Sequence, residues 1–152
     1  MLDPVTYSIE VPCNQQQAFE TFVDIGSWWP LDKRSIATMQ GKQKPISLTL
    51  DRQVGGQIIE TGEDGTEYHW GTVRTYDPHA LFVMDFHMGM PAMSPCSQVK
   101  VRFTELDANR TEVTLIQDNW EAYGNMAEMM RDGYGSSWRM LFEEAYKTVC
   151  TR

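Results

Sequence analysis

The chain has 152 residues, 41% hydrophobic and 22% charged, which suits one domain spanning residues 1–152 with a single core. Thirteen Lys and Arg against 21 Asp and Glu give a formal charge of -8 and a pI near 4.8, without the basic cluster that nucleic acid or an anionic membrane surface attracts. Residues 1–10 lack a cationic start before an apolar run and no apolar stretch is long enough to span a bilayer, so neither a secretory signal nor a membrane segment is expected.

Residues 6–11 alternate, with Tyr7, Ile9 and Val11 on one side, the mark of a half-buried strand that Pro12 ends. Asn14 caps a helix starting at Gln15, whose buried side carries Ala18, Phe19 and Phe22. A second helical turn is predicted over 24–28. Two adjacent indoles, Trp28 and Trp29, cannot face the same way on a regular element, so one enters the core and the other covers a loop or lines a pocket. Residues 31–44 have little apolar periodicity and read as a loop or lid.

Further strands are predicted over 46–50 (Ile46, Leu48 and Leu50 inward), 57–61, 67–76, 81–88, 98–105 and 111–120, with turns at Gly55-Gly56, Glu63-Asp64-Gly65, Asp77-Pro78 and 107–109. Phe82, Met84, Phe86 and Met88 form one apolar face, which turns Asp85 and His87 outward. In the last strand Val113 and Leu115 are continued by Gln117 and Asn119. Two amides ending an inward-facing row are costly to bury without partners, so they are candidates for the polar end of a cavity.

From residue 125 to 149 a stripe of Met126, Met130, Tyr134, Trp138, Leu141, Phe142, Ala145 and Val149 recurs at steps of three and four, the core-facing side of a long helix. Gly133 and Gly135 each cost about 1 kcal/mol there relative to Ala. They leave a void beside Tyr134 or mark a break in the helix. The fold expected is α+β, a curved antiparallel sheet of about seven strands wrapped around this helix.

The order of elements, with Val11-Pro12, Ala18-Phe19-Glu20, Trp28-Trp29-Pro30, Gly55-Gly56, Glu60, Gly65, Trp70-Gly71 with Val73, Asp77-Pro78, Trp120-Glu121, Tyr134, Trp138 and Leu141, resembles the START-like, helix-grip superfamily. Within it the chain is similar to the branch of activator of heat-shock-chaperone ATPase homologues. The resemblance implies a cavity between sheet and helix that holds hydrophobic small molecules in many relatives, while others are cyclases, aromatases or co-chaperone domains. Gln117 stands where many members of the branch carry His, Asn119 where many carry Gly, and His79 replaces a second proline.

Catalytic chemistry is not legible. His69, His79 and His87 have no metal-ligand spacing and read as surface residues, and Glu60 and Glu67, flanking a hairpin, are expected in solvent. Cys13, Cys96 and Cys150 are an odd number without CxxC spacing, as in a reducing cytoplasm. No metal, cofactor or catalytic residue is therefore assigned. Trp28, Trp70, Phe86, Met88, Trp120, Met130, Tyr134 and Trp138 would share the concave side, the apolar lining that a small-molecule pocket needs, with Gln117, Asn119 and Tyr134 as polar contacts. The function expected is binding of a hydrophobic or aromatic small molecule. The alternatives are a co-chaperone-like domain meeting a basic protein partner through its acidic surface, and a cyclase or dehydratase-like enzyme with Tyr134 as acid and a water held by Gln117.

Overall fold

Among the described residues seven strands form one antiparallel sheet in the order β1-β7-β6-β5-β4-β3-β2: β1 Val5–Val11, β2 Pro45–Leu50, β3 Gln57–Gly62, β4 Glu67–Asp77, β5 Leu81–Phe86, β6 Ser97–Asp107 and β7 Arg110–Asp118. The computed structural model describes residues 2–41, 43–87 and 96–150. Pairing β1 with β7 brings Val5 opposite Gln117 and Val11 opposite Thr111, so the first strand joins the sheet through the last. The sheet curls, and its concave side carries Val99, Val101, Phe103, Val113 and Leu115, all buried. Each of these obeys the alternation read from the sequence, because every second side chain of a strand shares a face.

Bulges alter that alternation where the curl needs them. In β2 the register shifts between Pro45 and Ser47, which leaves Ile46 63% exposed instead of inward. In β4 the register shifts again as Ile58 pairs with Gly71 and Ile59 with His69, so that Trp70 is the extra residue and both Trp70 and Gly71 are buried. A Cβ on Gly71 would collide with the Asp85 carbonyl of β5. Gly71→Ala should therefore destabilise the fold by about 1–3 kcal/mol, the usual range for overpacking, read as a lower urea midpoint with an unchanged m-value.

Helix α1 (Gln15–Val23) is capped by Asn14, whose side chain accepts from Gln17 N, and it buries Ala18, Phe19, Phe22 and Val23. A 3₁₀ turn, Ile25–Ser27, follows. The stretch read as a loop contains a further helix, α2 (Ile36–Gln40), capped by the Ser35 hydroxyl and closed by Gly41 in the left-handed region at φ 66°. Five residues are too few to show a helical period, although both end signals are present in the sequence.

The carboxy-terminal helix is not the uniform α-helix expected. It begins as a 3₁₀ segment, Trp120–Met126, with Gly124 at φ 56°, continues as α3 (Ala127–Trp138), widens to a π-helix over Arg139–Tyr146 and ends as α4 (Lys147–Cys150). Gly133 and Gly135 lie inside α3 and do not break it. The looser π winding advances the buried stripe by one residue, so Tyr146 and Cys150 are buried where Ala145 and Val149 were expected, and Met126 is exposed. Tyr146 donates to Ala18 O at 2.7 Å and stacks on Phe142, which ties the helix to α1. Within α3 the carbonyl of Gly135 accepts from the Tyr7 hydroxyl of β1 at 2.8 Å. No helix of the described residues is long and apolar enough to cross a membrane.

Candidate functional site

Between the sheet and α3 lies a cavity of about 290 Å³, lined by Trp29, Phe86, Met130, Tyr134, Trp138 and Leu141 inside and by Arg34, Met39, Met129, Gly133 and Ser137 around them. Met39 and Met129 are 58% and 62% exposed and mark its mouth. The walls are held by edge-to-face and tilted ring contacts. Trp29 meets Trp138 at 5.8 Å and 88°, and it rests on Trp70 at 4.9 Å. Phe86 lies 5.6 Å from Tyr134 and 6.0 Å from Trp138. A Cβ at Gly133 would meet no atom within 4 Å, so the absent side chain leaves open space at the mouth.

A buried polar chain fixes the inner wall. Trp138 Nε1 donates to Gln117 Oε1 at 2.7 Å, Gln117 Nε2 to Ser97 Oγ at 3.0 Å, and Ser97 Oγ to Phe86 O at 2.6 Å. Tyr123 closes it: its hydroxyl accepts from Ser97 N and lies 3.1 Å from both Ser97 Oγ and Phe86 O. Trp138 and Phe86, two walls of the cavity, are thus joined through the Gln117 amide. Burial pushes the Tyr123 phenol above its ordinary value and the Tyr134 phenol well above it, so Tyr134 presents a neutral phenol at neutral pH.

The outer wall is fixed by Glu60, which is fully buried instead of solvated. Its carboxylate accepts from Ile36 N at 2.7 Å, Ala37 N at 2.9 Å and Trp70 Nε1 at 3.0 Å. One acid thereby caps α2 and holds the indole beneath Trp29. Sequence reasoning missed it because the hairpin position favoured solvent. The available signal was a Glu on the inward side of an alternating strand, two residues beyond Ile58.

Of the residues expected at a site, Phe86, Met130, Tyr134 and Trp138 line the cavity together. Trp28 does not; its indole donates to Phe22 O at 3.1 Å and packs on Tyr146 at 5.4 Å, while its neighbour Trp29 forms the wall and donates to Arg34 O at 2.6 Å. Trp70 and Gln117 stand behind the walls. Asn119 is at the end of β7, where its Nδ2 donates to Cys96 O at 2.7 Å. Trp120 is buried behind Tyr134 at 6.0 Å, and its Nε1 has no hydrogen-bond partner among the described residues. Met88 lies outside the described residues. His87 is buried at 3% exposure with its ring 4.8 Å from His69, contrary to the surface reading, whereas His79 is half-buried in its turn with its ring edge-on to Phe19.

Residues 16–145 match the family described as Activator of Hsp90 ATPase homolog 1-like protein. The chain belongs to this family. Solved structures similar to this member include the anthrahydroquino-gamma-pyrone synthase Txn09, with 24% identity, 88% of each chain covered and a TM-score of 0.59. The self-sacrificing resistance protein CalC from Micromonospora echinospora shares 21% identity over 97% of this chain and 94% of its own, with a TM-score of 0.67. CalU16 from the same organism shares 14% over 96% and 73%, with a TM-score of 0.61. At these identities the likeness is one of fold. No curated protein matches the chain. Among the described residues two other than glycine have backbones in the left-handed region: Asn119 at φ 69°, where Asn is among the tolerated non-glycine residues, and His79 at φ 75°, a conformation closed to proline.

Proposed function

We propose that this family member binds an apolar or aromatic small molecule in the cavity between sheet and α3. The observation that carries this reading is a void lined by Trp29, Phe86, Met130, Tyr134, Trp138 and Leu141 and left open at Gly133. Its volume lies near the lower end for ligand pockets, and mostly apolar walls with few polar groups are what such pockets need. The described lining residues include no carboxylate, imidazole or thiol, so a bound molecule meets rings, hydroxyls and the Arg34 guanidinium but no such general base, which favours binding over turnover.

Gly133→Leu tests this with two readouts of opposite sign. Leucine is the better helix former by close to 1 kcal/mol, so the variant should melt slightly higher than the parent. Its side chain occupies the mouth, so affinity for the neutral fluorophore N-phenyl-1-naphthylamine should fall at least about ten-fold. Saturable binding by the parent, lost in the more stable variant, supports the pocket. Binding unchanged by Gly133→Leu, or absent in the parent, overturns it.

A further inference from the structure

Among the described residues lining the cavity Arg34 alone is charged, and none of the described carboxylates pairs with it. In a chain of net charge -8 an unpaired guanidinium at the mouth of an apolar cavity is a local reversal of sign. Its position is built from both sides. Upstream, Trp29 Nε1 holds the Arg34 carbonyl at 2.6 Å; downstream, the buried Glu60 carboxylate holds the amides of Ile36 and Ala37. Among the described residues the guanidinium itself donates only to the neighbouring Lys33 carbonyl, at 3.2 Å. Arg34 is therefore carried on a backbone anchored to the pocket wall and to α2, and its fork remains available for an oxyanion.

We infer that the ligand is an amphiphilic acid: a ring system or short chain seated against Trp29, Phe86 and Trp138, with a carboxylate, sulfonate or similar oxyanion at the mouth on Arg34. This rests on the binding reading above and adds the charge of the ligand to it. The apolar part supplies the affinity. The exposed ion pair supplies orientation and a preference among ligands of similar shape, because a solvent-facing pair contributes modestly and is screened by salt.

The test compares two fluorophores that share one skeleton, the anion 8-anilinonaphthalene-1-sulfonate and the neutral N-phenyl-1-naphthylamine, titrated into the full chain at low ionic strength. Arg34→Gln should weaken the sulfonate about three- to five-fold, the range an exposed pair supports, and change the neutral probe less than about 1.5-fold. Arg34→Glu should weaken the sulfonate about ten-fold, Arg34→Lys should retain most of its affinity, and Lys33→Gln should have little effect. Raising the salt to about 0.5 M, where screening is short-ranged, should shrink the difference between parent and Arg34→Gln. Equal responses of the two probes to Arg34→Gln, or equal responses of the sulfonate to the Lys33 and Arg34 variants, overturn the assignment while leaving the pocket intact. Failure of both probes to bind the parent overturns the pocket itself, and the acid preference with it.

Discussion

Glu60→Ala is expected to cost the fold about 3–6 kcal/mol, on the order of 1–3 for each buried donor left without an acceptor, less what is regained by no longer burying a charge. The donors are Ile36 N, Ala37 N and Trp70 Nε1, all buried. Against a typical total of about 5–15 kcal/mol, this brings the variant near the edge of folding. Glu60→Gln keeps the volume but turns one acceptor into an amide donor facing a donor, so it should lie between parent and alanine. Two measurements separate the clamp from a general loss of core. Amide exchange at Ile36 and Ala37 in Glu60→Gln should accelerate more than exchange in β6 and β7, because α2 is held chiefly from outside itself. In a double-mutant cycle Trp70→Phe removes one of the three donors, so the Glu60→Ala, Trp70→Phe pair should lose less than the sum of the single losses. Strict additivity with uniform exchange would show that the three hydrogen bonds do not act as one clamp.

Trp138→Ala should cost about 3–5 kcal/mol, the usual penalty for truncating a buried indole, because its ring is 1% exposed and packs on Trp29 and Phe86. Trp138→Phe is the sharper variant. It retains an aromatic wall but removes the donor to Gln117 Oε1, leaving a buried carbonyl oxygen unpaired at a cost of about 1–3 kcal/mol. Adding Gln117→Leu to Trp138→Phe replaces both partners by apolar groups, but it also withdraws the donor to Ser97 Oγ. That oxygen still donates to Phe86 O, so the double variant should melt above Trp138→Phe alone. Urea midpoints followed by far-UV circular dichroism read this without relying on tryptophan emission. A double variant markedly less stable than Trp138→Phe would mean that the Gln117–Ser97 bond, and not the indole bond, is what the amide contributes to the fold.

The position of Gln117 shows how far a sequence pattern reaches. Its place on the inward row after Val113 and Leu115 follows from period-two alternation, and its need for partners follows from the desolvation of an amide. Which partners it takes depends on residues 20 and 21 positions away, Ser97 and Trp138, that only the folded chain brings to it. Trp28 and Trp29 carry the same lesson at shorter range. The sequence separates their directions but does not say which faces the cavity, and that is decided by the 3₁₀ turn before them and by the Phe22 and Arg34 carbonyls that receive their indole protons.

Strand alternation, the cap at Asn14, the apolar helix stripe and the ordered motifs are local, and local patterning determined the order of the strands, most of the inward faces and the START-like family of this chain, while α2 escaped it because five residues show no helical period. Three features were decided by the tertiary structure. The bulges in β2 and β4 answer to the curl of the whole sheet, the π winding over Arg139–Tyr146 answers to where Phe22, Ala18 and Tyr146 must meet, and the burial of Glu60 answers to a helix terminus 23 residues upstream. Each depends on contacts between segments distant in sequence, and a one-dimensional period carries no record of where a distant donor lies.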